Sequence, residues 1–131
     1  MPKFHLVTGS IIALVFLALF GVGLKSVFSE TPGEYDEFAQ CLTDSGTKMY
    51  GAYWCPYCQE QKKELGSSWQ YINYIECSLP NRAGTTAVCQ DAELEGYPTW
   101  EFADGSRIPG KVPLAELSKK TGCPLPINRQ R

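Results

Sequence analysis

Trp54-Cys55-Pro56-Tyr57-Cys58 sets two cysteines three positions apart, where a β-rich aromatic run, Thr47 to Trp54, gives way to a helical one that Gly66 ends. At that junction Cys55 sits at a helix N-terminus, whose unpaired N–H groups and dipole favour a thiolate. Cys58 lies one turn later, close enough to resolve a mixed disulfide on Cys55. Pro56 fits the first turn, where its missing N–H has no partner to lose. Half of a metal site and a passive bridge are the alternatives for this pair. The chain holds six cysteines but one histidine and no second Cys-x-x-Cys. That leaves little for a zinc or haem site, so neither metal nor cofactor is expected.

The flanking pattern alternates. Glu34 to Ser45 carries Phe38, Cys41 and Leu42 at helical spacing, with Glu34, Asp36 and Glu37 in its first turns and Gly46 after it. Tyr71 to Cys77 is β-rich. Thr85 to Leu94 suits a short helix. Thr99 to Ala103 and Arg107 to Gly110 form a hairpin pattern around Asp104-Gly105. Pro113 to Lys120 reads as a last helix, with Gly122 past its end. Strands alternating with helices, then a terminal hairpin, predict an α/β sheet with helices on its faces.

Gly96-Tyr97-Pro98-Thr99-Trp100 puts a proline at a strand entrance, 43 residues after Cys55, which is unusual for a regular ladder. With the Cys-x-x-Cys, this resembles the thioredoxin superfamily over about residues 34 to 122. The resemblance implies a cis-proline loop at Tyr97-Pro98-Thr99 facing the motif. It further implies Cys55 as attacking thiol, Cys58 as resolving thiol, and a substrate strand paired with the backbone of Tyr97. An ordinary trans-proline turn is the alternative at Pro98.

Lys48 to Cys58, Tyr74-Ile75-Glu76-Cys77, Cys89 and Glu95 to Trp100 together look like the thioredoxin-like domain fused to bacterial and plant homologues of vitamin K epoxide reductase. In that family the membrane part passes electrons to a quinone and the thioredoxin-like domain carries oxidising equivalents to exported proteins. The four-helix membrane enzyme is not in this sequence, so the resemblance implies a separate partner of that type. Two departures stand out. Thioredoxins carry a buried Asp six residues before the first active-site cysteine, where this chain has Met49, so another proton acceptor, such as water, must serve Cys58. No strand precedes the first helix, so four strands are expected. Pro56-Tyr57 is also the glutaredoxin dipeptide, but an export segment and extra cysteines argue against that group.

The fused family has a disulfide at positions corresponding to Cys77 and Cys89. Closing that loop adds on the order of 3 kcal/mol in the loop-entropy model. Two buried thiols, or a relay taking electrons from Cys55 and Cys58, are the alternatives. For Cys41 and Cys123, parity in an oxidising compartment suggests a pair. Cys41 is alternatively a core residue beside Phe38, and Cys123 a thiol open to exchange. Trp54, Tyr57, Tyr97 and Trp100 flank the two motifs and suit an apolar platform for unfolded peptides, although Trp100 and Tyr53 are expected to fill the core.

The N-terminus is apolar, with no charge from Leu6 to Leu24. At about 1.5 Å per residue a helix there spans roughly 28 Å, near the hydrocarbon thickness of a bilayer. A transmembrane signal anchor over 1–25 is the favoured reading, with a cleaved signal peptide and a buried core helix as alternatives. A linker is expected at 26–33, the thioredoxin-like domain at 34–123 and a flexible tail at 124–131. Residues 30–131 hold all six cysteines, 10 basic and 14 acidic side chains. Such cysteines are easier to keep as disulfides outside the cytosol, so the domain is expected on the extracytoplasmic side of the membrane. The whole chain has a net charge of -2, which gives no support to nucleic-acid binding.

The expectation is therefore a membrane-tethered thiol–disulfide oxidoreductase that passes disulfides to exported proteins and is reoxidised by a vitamin K epoxide reductase-like, quinone-linked membrane protein. An exported reductant, as in cytochrome c maturation, has the same fold and opposite electron flow. A redox-inactive binding domain with structural thiols is the rival from another class.

Overall fold

The structure, a computed structural model, describes residues 32–127. The expected membrane segment, most of the linker and the last four residues of the tail lie outside the described residues. Among the described residues no helix is long and apolar enough to cross a membrane.

The elements run α1 (Asp36–Asp44), β1 (Lys48–Gly51), α2 (Pro56–Leu65), a 3-10 turn (Gly66–Tyr71), β2 (Tyr74–Glu76), a short 3-10 turn (Pro80–Arg82), α3 (Ala87–Asp91), β3 (Thr99–Glu101), β4 (Arg107–Pro109) and α4 (Leu114–Thr121). The four strands make one mixed sheet in the order β2-β1-β3-β4. β1 is central, parallel to β2 and antiparallel to β3, and β4 completes the hairpin. With helices packed against it, this sheet is a thioredoxin-like α/β fold.

Side-chain alternation along β1 divides the apolar residues. Met49 pairs with Trp100 on β3, both fully buried, and joins a large cluster with Phe38 and Leu42 of α1, Leu65 of α2 and Leu117 of α4. Tyr50 faces the other way and joins a smaller cluster with Cys77, Cys89 and Ile75. Register is reinforced at the far end, where Lys48, Glu101 and Arg107 stand side by side on three strands. Glu101 meets Lys48 at 2.8 Å and Arg107 at 2.6 Å. Burial works against the Glu101 carboxylate, but hydrogen bonds from the two cations outweigh it and hold its pKa below the usual range.

The boundaries follow local chemistry. α1 buries Phe38, Ala39 and Leu42 along one stripe. α4 closes on Gly122 at φ 78°, a left-handed conformation that glycine adopts without Cβ strain, and its N–H caps the carbonyl of Ser118. β1 is shorter than the aromatic run suggests. After Gly51 the chain turns, with the Cys55 N–H donating to the Ala52 carbonyl at 2.9 Å, so Tyr53 and Trp54 leave the sheet. Tyr53 is consequently 48% exposed rather than a core residue, whereas Trp100 is buried. Gly66 ends α2, yet the chain continues through a 3-10 turn whose buried Ser68 accepts the Tyr35 N–H. That turn has no apolar periodicity to announce it. Leu125, in the segment expected as a tail, packs half-buried against the large cluster.

Two disulfides cross the structure. Cys41–Cys123 joins α1 to the residue after the α4 cap, with Cα atoms 5.7 Å apart, and Cys77–Cys89 joins the end of β2 to α3, at 5.4 Å. The first closes 82 residues of chain. Replacing Cys41 and Cys123 together by Ser should therefore lower the unfolding free energy by about 2–5 kcal/mol in a denaturant titration. An unmoved midpoint at constant slope would show that the bridge restrains nothing in the unfolded chain.

Candidate active site

Cys55 is the N-cap of α2, with extended backbone (φ -76°, ψ 121°) and Pro56 in the first turn behind it. Its sulfur takes the place a capping oxygen normally holds, accepting the Cys58 N–H at 3.3 Å. The other contact of this sulfur is across the site, where the thiol donates to the Tyr97 carbonyl at 3.5 Å. Neither Cys55 nor Cys58 is disulfide-bonded, and both are buried. Exposure therefore does not separate their roles, but electrostatics does. A backbone N–H aimed at the Cys55 sulfur at the positive end of α2 stabilises negative charge there.

Cys58 is the opposite case. Burial pushes its thiol up to about 12, and a hydrogen bond with the Cys55 sulfur adds to the effect. It faces the sheet at Gly51, whose missing side chain makes the room. A Cβ there would stand 2.9 Å from the Cys58 sulfur and 2.8 Å from the Tyr74 ring. Beside this contact lies a cleft of about 270 Å³, lined by Cys58, Tyr74, Glu76, Lys62 and Trp69 among others.

The Tyr97-Pro98 peptide is cis. Pro98 is buried, and its carbonyl receives the Gly110 N–H at 2.7 Å, which ties the loop to the residue after β4. Around the two motifs the aromatics are partly open, with Trp54 36% and Tyr57 60% exposed. Trp54 stands edge-on to Tyr97, with ring centroids 6.3 Å apart. Its indole N–H donates to Ser78 Oγ at 2.8 Å, and the Arg82 guanidinium lies over its ring at 5.2 Å. The Arg82 N–H also holds the Tyr53 hydroxyl at 3.1 Å. Ser78 and Arg82 both belong to the loop that Cys77–Cys89 closes, so that bridge supports the wall of the site.

The structure thus brings together Cys55, Cys58, Trp54, Tyr57, Tyr97 and Pro98. Cys77 and Cys89 sit in the smaller cluster with Tyr50, whereas Cys55 and Cys58 belong to the larger one. Cys41 and Cys123 bridge α1 to the end of α4. Among the described residues no group of His, Cys, Asp and Glu is arranged to hold a metal ion. Three residues escaped the sequence reading. Gln61 is fully buried on α2, and its Oε1 accepts from Trp100 Nε1 at 3.3 Å and the Val112 N–H at 2.9 Å. It fastens the active-site helix to β3 and to the chain before α4. Tyr74 and Glu76 line the cleft behind Cys58. The signal for them was Met49, an apolar residue where an acid is expected, together with two polar residues on the neighbouring strand.

No family model matches the chain. It is 42% identical over 92 residues to thiol-disulfide oxidoreductase LTO1 of Arabidopsis thaliana, a match covering 66% of this chain and 24% of that protein. The chain therefore spans about a quarter of the length of the curated relative it matches.

With burial holding the Cys58 pKa well above that of a free thiol, its reactive thiolate is scarce at pH 8. Iodoacetamide at pH 8 should alkylate Cys55 and leave Cys58 unmodified, as read by peptide mass spectrometry after short exposure. Equal labelling of the two would contradict the assigned asymmetry.

Proposed function

We propose that this protein is a thiol–disulfide oxidoreductase in which Cys55 exchanges with substrate and Cys58 resolves. The observation that carries the reading is the Cys55 sulfur capping α2 beside the Tyr97 carbonyl, with a free, buried partner thiol one turn away. The name of the Arabidopsis relative supports it.

In the oxidising direction the protein starts with a Cys55–Cys58 disulfide. A substrate thiolate attacks Cys55 Sγ, a mixed disulfide forms, and Cys58 leaves as a thiolate that takes up a proton. The second substrate thiolate then attacks the substrate sulfur of the mixed disulfide and expels Cys55 as a thiolate. The substrate gains a disulfide, and two electrons remain on Cys55 and Cys58. Placing the leaving charge on Cys55, next to the Cys58 N–H, favours this release. An extended substrate segment fits against the Tyr97 backbone, with Trp54 and Tyr57 offering apolar, sequence-tolerant contacts.

The same proposal places the domain outside the cytoplasm, on a membrane anchor formed by residues 1–25, acting on exported proteins. Its support is the uncharged run from Leu6 to Leu24 and the two disulfides of the domain. Reoxidation falls to a quinone-linked membrane protein like vitamin K epoxide reductase, which accepts the two electrons. That partner follows from the resemblance of Lys48 to Cys58, Tyr74 to Cys77, Cys89 and Glu95 to Trp100 to the domain fused to such enzymes.

Oxidation of a dithiol peptide by the disulfide form tests the chemistry. Cys55→Ser should abolish it. Cys58→Ser, loaded as a Cys55 mixed disulfide with glutathione, should pass that disulfide to a peptide thiol. Undiminished peptide oxidation by Cys55→Ser would rule out Cys55 as the exchanging residue.

A further inference from the structure

Whichever way electrons flow, Cys58 gains one proton and loses one in each full cycle, and Met49 cannot handle either. β1 and β2 run parallel, pairing Met49 with Tyr74 and Gly51 with Glu76. Side chains paired in this way share a sheet face, so Tyr74 and Glu76 come up on the face where Cys58 meets Gly51. The Cys58 sulfur and the Tyr74 hydroxyl lie 2.9 and 3.2 Å from one point, the place a Gly51 Cβ would fill. The Tyr74 hydroxyl donates to Glu76 Oε2 at 2.9 Å. Glu76 Oε1 accepts the Tyr53 N–H at 3.2 Å and the Ser78 N–H at 2.8 Å, which fixes the carboxylate in place. Cys58, Tyr74 and Glu76 all border the 270 Å³ cleft, which is roomy enough for water and offers it the Tyr74 hydroxyl and the Glu76 carboxylate as partners.

We propose that Glu76, acting through the Tyr74 hydroxyl, takes the proton Cys58 loses when it resolves a mixed disulfide and returns it when Cys58 is the leaving group. The inference rests on the thiol–disulfide reading above. In resolution the Cys58 S–H proton passes across a water of the shared cleft to Tyr74 Oη as the tyrosine proton moves to Glu76 Oε2. The Cys58 electron pair forms the bond to Cys55 Sγ, and the substrate sulfur departs with the pair of the broken bond. The reverse step returns each proton. Tyr74 remains a phenol throughout, because burial and its bond to Glu76 raise its pKa.

Other groups do not fill the role. Gln61 Oε1 already accepts from Trp100 and Val112, and an amide takes no proton near neutral pH. The charged groups bordering the cleft are Glu76 on β2 and Lys62 on α2, and its other titratable groups are Tyr53, Tyr74 and Cys58. Lys62 lies over the Trp69 ring at 5.8 Å and is a donor, not an acceptor.

The test reacts the reduced full chain, its other disulfides intact, with an aromatic disulfide, 5,5′-dithiobis(2-nitrobenzoate), in stopped flow. Attack by Cys55 releases one chromophore and resolution by Cys58 releases the second, so the ratio of second to first rate isolates Cys58. Glu76→Gln, whose amide oxygen can still accept the two backbone N–H groups, should lower that ratio about 100-fold at pH 7. The second rate should then climb about tenfold per pH unit as hydroxide takes over. Tyr74→Phe, which keeps the ring packed 5.2 Å from Trp69, should do the same. An unchanged ratio and pH profile in either variant overturns the relay. No first phase in the unsubstituted protein would sink the underlying thiol–disulfide reading instead.

Discussion

A side chain at Gly51 would collide with the Cys58 sulfur, 2.9 Å from the Cβ position, and with the Tyr74 ring at 2.8 Å. The active site depends on that empty space. It lets the first turn of α2 settle onto the central strand, which buries Cys58 and brings Cys55 to the helix cap. The same gap sets Cys58 beside Tyr74 rather than beside an acid on β1. A glycine inside a strand weakens it, and here the loss is exchanged for close approach of a helix.

Burial then produces the asymmetry that the chemistry needs. Two thiols one turn apart in a uniform environment would titrate alike. One is a helix cap with an N–H aimed at its sulfur, and the other is desolvated, which disfavours charge on Cys58. Gln61 keeps α2 from shifting, since its carbonyl oxygen spans to β3 and to Val112. On the open side the Cys77–Cys89 loop supplies Ser78 and Arg82, which hold Trp54. The structure of the site thus reaches well beyond the four residues of the motif.

Much of this was legible in the sequence because it is local. A Cys-x-x-Cys at a strand–helix junction, Pro56 in a first turn and Pro98 at a strand entrance are read from neighbours in the chain. What escaped is what depends on register and turning. Tyr53 looked like a strand residue, but the turn that launches α2 carries it to the surface. The 3-10 turn over Gly66–Tyr71 has no apolar period and is held by Ser68 reaching Tyr35. Gln61 reads as a polar helix residue until Trp100, 39 positions away, is found against it. Tyr74 and Glu76 stood in a quoted stretch, yet their approach to Cys58 requires knowing that β2 lies parallel to β1 with Glu76 opposite Gly51.

The N–H aimed at the Cys55 sulfur from the start of a helix favours the reduced couple, and a couple favoured in its reduced form has a disulfide that is a good donor. The reduction potential of Cys55–Cys58 in the full chain, equilibrated against glutathione with the other two disulfides intact, tests that most directly. The account predicts a value of about -120 to -180 mV, the range of known oxidants and isomerases. A value near about -270 mV, that of thioredoxin, would contradict disulfide donation and make the protein a reductant.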